Sequence, residues 1–497
     1  MPYITGVDRF QLGMGQCLDD YVKADNPVRV VDAFVNALDF NALGFRKANL
    51  AKTGRPPFHP GDLVRVYIYG YLNGIRTTRK LETEACRNLE MMWLLRKLTP
   101  DYKTIADFRR DNREPLTRVF VQFNQLCKAW GLFGGKVVAA DGTKIRASNS
   151  KRNNYTAKKV ERHLAYLEGK SEAYLEELDE ADSFETGVPH SARESIQQAL
   201  QAIEARKNGY HTLAEEIKLN GEVSTVDPDA RLMGVHNNGV DVCYNVQAVV
   251  DAKHSLVVVA DVVNTATDQG QLSVMAGKAQ EMLAVEEMKV LADKGYYVAE
   301  DLQRCEDAGI IAFVTRPTPS SSTGVREYLH DQFIYDSETD TYTCPQGKVL
   351  TRLNDKTEVE RMEYRNWKAC KECPVRQLCT TSKRGRRISR SKNQPVMDTV
   401  DMRTRANKAL YATRQAIIEH VFGTLKRTMG FTHFLTRGLE SVRVEASLAF
   451  LGYNLKRAIS LLGVERMLKE MASKAEAISF VLWSTRVQVV LFRGILS

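Results

Sequence analysis

At 497 residues the chain is too long for one compact core, so two or three domains are expected. With 43% hydrophobic and 26% charged residues it has the makings of real cores under an ordinary soluble surface, which excludes a disordered or fibrous chain. A net charge of +9 favours a polyanionic partner, nucleic acid foremost. Met-Pro-Tyr-Ile-Thr-Gly at the start lacks a basic segment followed by an apolar one, so no signal peptide is expected. Cys17, Cys86, Cys127, Cys243 and Cys305 are scattered singly and read as reduced core residues of a cytosolic protein.

Residues 1–130 read as an all-α, basic block. Gly54-Arg55-Pro56-Pro57-Phe58-His59-Pro60 leads into a helix carrying Leu63, Val64, Val66, Tyr67, Ile68, Tyr71 and Leu72, with Asp62 as its expected cap. Residues 74–80 break it, a second helix spans residues 81–95, and a third opens with Asp101 or Thr104 as cap. Two readings stand side by side: a helical bundle with solvated basic faces, or a helix-turn-helix-like unit contacting DNA phosphates through Arg76, Arg79, Lys80, Arg109 and Arg110.

Lys136-Val-Val-Ala-Ala-Asp141-Gly-Thr-Lys144 is a buried strand expected to end at Gly142 and to deliver one carboxylate at its carboxyl end, with Lys144 close by. Residues 148–221 have apolar residues at helical spacing (Val160, Leu164, Leu167; Ile196, Leu200, Ile203) and read as a helical insertion broken near Gly187-Val-Pro189. An antiparallel pair follows, over residues 241–251 and 256–260. A helix over 269–286, a strand ending at Asp293, a helix over 298–307 and a strand over 310–314 complete the order. This order matches a ribonuclease H-like mixed sheet, in which the strands of Asp141 and Asp293 lie side by side.

Residues 316–400 interrupt that domain. Cys344, Cys370, Cys373 and Cys379 give the four thiolates of a closed tetrahedral zinc site, with a structural role. The most basic run of the chain, residues 382–392 with Arg386 and Arg387, follows and suits a DNA backbone. The chain is then helical through Leu462. The apolar tail over 478–496 is interrupted by Arg486 and Arg493, so it reads as a packed element of residues 463–497 rather than a membrane span.

One late helix, Tyr411-Ala-Thr-Arg414-Gln-Ala-Ile-Ile-Glu419-His-Val-Phe422-Gly-Thr-Leu-Lys426, supplies a third acid. Two turns on from Glu419, Lys426 shares its face, and Tyr411 lies in the same half. The spacing turns Arg414 elsewhere.

In these blocks, together with Asp227-Pro-Asp-Ala-Arg231, Tyr244-Asn-Val-Gln247 and Asn454-Leu-Lys456, the chain resembles bacterial insertion-sequence transposases of the DDE type, specifically the insertion-sequence eleven-eighty-two family of the insertion-sequence-five group. The resemblance implies a nucleoid-associated enzyme. Asp141, Asp293 and Glu419 would hold two Mg²⁺ (or Mn²⁺) ions for cleavage at transposon inverted repeats and strand transfer into target DNA. It further implies Lys426 in catalysis, Tyr411 and Arg414 on DNA, and a homo-oligomer assembled on double-stranded DNA. A ribonuclease H-like nuclease without strand transfer, or a domesticated DNA-binding protein, are the alternatives.

Overall fold

The computed structural model describes residues 17–49, 56–183, 190–235, 239–318, 323–353 and 361–473. Gly54, Arg55, the break at 187–189 and the tail over 478–496 lie outside them.

Six helices come first: α1 (Pro27–Asn36), α2 (Pro60–Leu72), α3 (Thr78–Arg87), α4 (Leu89–Leu94), α5 (Tyr102–Asp111) and α6 (Arg113–Ala129). Asn88 splits the expected helix over 81–95, closing α3 and capping α4 through its side chain. Asp101 caps α5, accepting from the Lys103 and Thr104 amides. Asp62 does not cap α2. His59 does, its Nδ1 accepting from Gly61 N at 3.0 Å. Asp62, in the first turn of the helix, is instead buried against Arg65 and Arg96, whose guanidinium groups pair with its carboxylate.

The main sheet contains β1 (Val137–Arg146). After it come a short strand β2 (Asn154–Thr156), helices α7 (Ala157–Ser183) and α8 (His190–Asn220), and β3 (Glu222–Ser224), which pairs with β2 in a two-stranded sheet of its own. The sheet resumes with β4 (Arg231–Val235), β5 (Gly239–Asp251) and β6 (Val257–Val263), then α9 (Leu272–Leu283), β7 (Met288–Ala292), α10 (Ala299–Asp307) and β8 (Ile310–Val314). Its order is β4-β5-β1-β7-β8, with β6 also on β5. β1 runs antiparallel to β5 and parallel to β7, and β7 parallel to β8. β8 is covered on both faces and reads as an unbroken apolar run, whereas β7 is interrupted near its start by the exposed Lys289.

The strand does not stop at Gly142. β1 continues to Arg146, paired residue for residue with β5. The physical reason is that Gly142 is needed for space rather than for a turn: a Cβ there would collide with Gln247 and Asp268.

A second, five-stranded antiparallel sheet follows: β9 (Ile334–Asp336), β10 (Thr341–Thr343), β11 (Val349–Arg352), β12 (Arg361–Arg365) and β13 (Arg387–Ser391). Two one-turn helices, α11 (Trp367–Lys371) and α12 (Arg376–Cys379), sit between β12 and β13. Then come α13 (Gln394–Ala406), α14 (Lys408–Gly423), a π-helical turn Thr424–Thr428 and α15 (Leu439–Leu462).

α15 ties the molecule together. Buried along most of its length, it packs on α2, α6 and β6, so the N-terminal helices and the main sheet share one apolar core. Of the five single cysteines expected in a core, Cys127, Cys243 and Cys305 are buried, but Cys17 and Cys86 are exposed, at the start of a 3-10 turn and on the polar face of α3. Asn124 on α6 and Asn454 on α15 pair with each other and with the backbone of Val257 and Val258. They satisfy buried backbone groups of β6 that no strand reaches.

Candidate active site

Asp141 lies on β1 just beyond the point where pairing with β7 ends, at Ala139 opposite Leu291. Asp293 follows β7 directly and accepts from Gly295 N at 2.8 Å, capping a one-turn helix Lys294–Tyr296. Two neighbouring parallel strands therefore bring these carboxylates to one end of the sheet. Burial pushes the Asp141 carboxyl up to about 6; the Gly142 N–H and Arg414 oppose the rise, while Asp293 and Asp268 add to it. A cluster of hard carboxylate oxygens that resists full ionisation suits Mg²⁺ or Mn²⁺. A buried amide oxygen beside it, Asn245 Oδ1, has no donor among the described residues.

α14 crosses this end of the sheet. Tyr411 donates its hydroxyl to the Ala292 carbonyl, at 3.0 Å, next to Asp293. Arg414 reaches Asp141, Nη1 to Oδ2 3.5 Å, contrary to the helical-wheel expectation. Its angular offset of about 140° from Glu419 is overcome by the length and flexibility of the arginine stem. Lys426 lies in the π-helical turn, and its Nζ donates to Thr143 Oγ1 on β1 at 2.5 Å. Burial lowers the Lys426 pKa, and Asp141 partly offsets this.

Glu419 is not joined to the two aspartates by any polar contact among the described residues. It is exposed and accepts from Gln415 Nε2 at 2.6 Å on its own helix. Carboxylates repel one another, and a glutamate with an amide partner one turn away stays more cheaply at the surface. Among the described residues no three His, Cys, Asp or Glu side chains are set out to hold a metal ion. The expected triad is present as a pair of aspartates with Arg414 between them and the helix of the third acid. His420, beside Glu419, pairs with the Tyr453 hydroxyl and belongs to the packing.

Three polar residues join this site that the sequence pattern does not single out for chemistry. Asp268 precedes α9 and looks like turn chemistry, yet its Oδ1 accepts from Asn245 and Gln247, both at 2.7 Å, and pairs with Lys144 at 3.3 Å. The available signal was the two amides: Asn245 and Gln247 are buried on the same side of β5, in a strand otherwise apolar there.

The basic residues divide. Arg79, Lys80, Arg110 and Arg387 are exposed; Arg110 pairs with Asp107 and Asp111, and Arg387 with Glu363. Arg109 lies over the Tyr67 ring and Arg386 over Phe333, each partly buried. Arg76 is a correction: it is buried, donates to the His433 carbonyl at 2.8 Å and lies over the Phe431 ring, so it fastens α2 and α3 to the segment before α15. Arg76→Ala is therefore expected to destabilise the full chain by about 2 kcal/mol, in the range of a lost charged hydrogen bond. The salt dependence of DNA binding should stay unchanged. Arg79→Ala with Lys80→Ala is expected to do the reverse, reducing the slope of log affinity against log salt. Thermal unfolding and salt-titrated DNA binding separate the two.

Cys344, Cys370, Cys373 and Cys379 border a single cavity of about 30 Å³, which Phe333, Leu350 and Arg386 also line. Burial raises the Cys379 thiol pKa, Arg386 opposes this, and the other three sulfurs add to it. The four are thus neighbours, although they are not drawn together tightly enough to form a metal-holding group.

Residues 343–459 match a family model described as a transposase DDE domain, and residues 16–111 match one described as a transposase domain (DUF772). The first covers the four cysteines, Glu419 and Lys426; Asp141 and Asp293 lie between the two matches. No curated protein matches the chain. Among solved structures, a cryo-EM structure of the piggyBac transposase synaptic complex with hairpin DNA is 8% identical, with 93% of this chain and 82% of that chain covered and a TM-score of 0.31. With transposase models matched both before and after the sheet that carries the aspartate pair, the protein is a DNA transposase of the DDE type.

Proposed function

We propose that this transposase works through a divalent-metal site on a ribonuclease H-like sheet, cutting DNA at transposon inverted repeats and joining the freed 3′-hydroxyl to target DNA. The observation that carries the reading is that Asp141 and Asp293 both lie just past the point where the parallel pairing of β1 and β7 ends, with the Asp141 carboxyl raised by burial and by its acidic neighbours. Asp141, Asp293 and Glu419 would hold Mg²⁺ or Mn²⁺, with Glu419 turning inward from Gln415. The metal, when bound, supplies charge stabilisation and activation of the attacking oxygen in an in-line displacement. Arg414, released from Asp141 when a cation neutralises it, is placed to take a DNA phosphate. Lys426 and Tyr411 line the same approach to β1 and β7.

Arg79, Lys80, Arg110 and Arg387 offer exposed charge for the DNA backbone, with the partly buried Arg386 and Lys144 as further cations for it. We assign the four cysteines to one structural Zn²⁺. The remaining parts of the reading are membership of the insertion-sequence eleven-eighty-two family, a homo-oligomer on DNA and a place in the cytoplasm at the nucleoid. Among the described residues no helix is long and apolar enough to cross a membrane.

The test uses the full chain and a labelled duplex ending in the element's own inverted repeat. Nicked and joined products that require Mg²⁺ or Mn²⁺ are expected. Nicking without joining would turn the reading to a plain nuclease, and DNA binding without either would turn it to a domesticated binding protein.

A further inference from the structure

Asp268, in the loop between β6 and α9, is more firmly fixed than a loop acid has reason to be. Its Oδ1 is fully used by Asn245 Nδ2, Gln247 Nε2 and Lys144 Nζ. Gln247 is held in turn by the buried Tyr296, whose hydroxyl donates to Oε1. Across the β1–β5 pair from Gln247 stands Gly142, directly after Asp141, and a Cβ at that position would strike the Asp268 carboxylate. The chain has thus cleared space over β1 for this one side chain.

The other oxygen, Oδ2, meets no donor among the described residues and faces Gly295, 3.6 Å from where a Cβ there would lie. Asp293 Oδ1 is 2.9 Å from that same point, so the two carboxylates present oxygens to one small volume. A second observation is independent of the acids. Asn245 is fully buried, and its Oδ1 has no donor among the described residues; it lies 2.9 Å from the Gly142 Cβ position, alongside Asp268. An unpaired buried amide oxygen is costly, and a hydrated cation at Asp268 provides what it lacks.

We infer that Asp268 is a further metal-binding carboxylate of the catalytic centre, anchored through Oδ1 by Asn245 and Gln247 and presenting Oδ2 beside Asp293. This rests on the metal-dependent reading of Asp141 and Asp293 given above. It makes Asp268 a ligand held by the polar network of β1 and β5, which closes on the ion together with Asp141 and Asp293, whereas Glu419 must turn in from the surface of its helix.

Mn²⁺ binding to the full chain without DNA, followed by electron paramagnetic resonance and calorimetry, tests it. Asp268→Asn keeps an oxygen for both amides but removes the charge. It is expected to weaken Mn²⁺ at least about tenfold, as loss of one ligand does, with the unfolding temperature unchanged. Asp268→Glu, which restores the charge, is expected to recover most of the affinity. If wild type binds Mn²⁺, Asp141→Asn loses it and Asp268→Asn does not, the inference falls and the metal reading stands. If Asp268→Asn and Asp268→Glu both unfold early and both lose affinity, Asp268 is a packing residue and the inference falls. If wild type binds no Mn²⁺, or binds it equally without Asp141 and Asp293, the metal reading falls and takes the inference with it.

Discussion

Asp141→Ala, Asp293→Ala or Glu419→Ala is expected to lower metal-dependent cleavage of transposon-end DNA by a factor on the order of 10³ or more, while DNA affinity changes little. In the proposed site the acids would hold metal and not the duplex, so DNA affinity would rest on other, cationic residues. Losses should not add in double variants, because a site that has lost one ligand no longer aligns nucleophile and leaving group.

Other aspartates of the same sheet are the controls. Asp241 pairs with Arg146, and Asp261 pairs with Lys278 and Arg443; Asp241→Asn and Asp261→Asn should keep cleavage near wild type. Asp251 is different in kind: fully buried, it accepts from the Gly134 and Gly135 amides, so its replacement should cost folding rather than chemistry. Cleavage gels read beside thermal unfolding tell these cases apart. A Glu419→Ala protein that still cuts, beside dead Asp141→Ala and Asp293→Ala proteins, would move the third ligand from α14 to the sheet. Cleavage by all three would remove the proposed site altogether.

What the sequence discloses about this centre follows from how local each cause is. β1, β5, β7 and β8 are legible because buried strands write themselves as apolar runs or alternations, and a carboxylate directly after such a run, as at Asp293, is conspicuous. β4 carries no such pattern, since Arg231–Val235 is short, holds a glycine, buries only Met233 and pairs with β5 alone. Strands β9 to β13 are short and mostly polar, and they disappear among the glycines and basic residues of their segment. Long-range pairings are harder still. Arg76 looks like a phosphate ligand because nothing near it in the chain shows the His433 carbonyl it serves. Asp268 looks like a turn residue because Gly142, Asn245 and Gln247, which hold or admit it, are set there by strand register. Arg414 is misjudged by a wheel that counts Cα angles and ignores how far a guanidinium can travel.

Removing the proposed zinc is expected to unfold the second sheet while leaving the first intact. The smaller sheet buries only Phe333, Tyr342, Leu350, Tyr364 and Ile388 in its own cluster, among the described residues. That core is far too small to offset the conformational entropy of five strands and their connections, so the unit needs a staple. Four cysteines around one cavity of about 30 Å³, at the junction of β10, α11 and α12, are placed to be it. A bound zinc would draw their sulfurs to about 2.3 Å from the ion and hold the basic run over 382–392 against the sheet. Protein purified without added zinc should carry about one zinc per chain, and Cys373→Ser should carry much less. Hydrogen exchange in that variant should rise sharply over residues 323–353 and 361–391, while β1, β5 and β7 keep their protection. A metal content near zero in a wild-type protein whose second sheet is well protected would leave the cysteines as packing residues. Equal loss of protection in both sheets would mean that the staple serves the whole fold rather than its smaller unit.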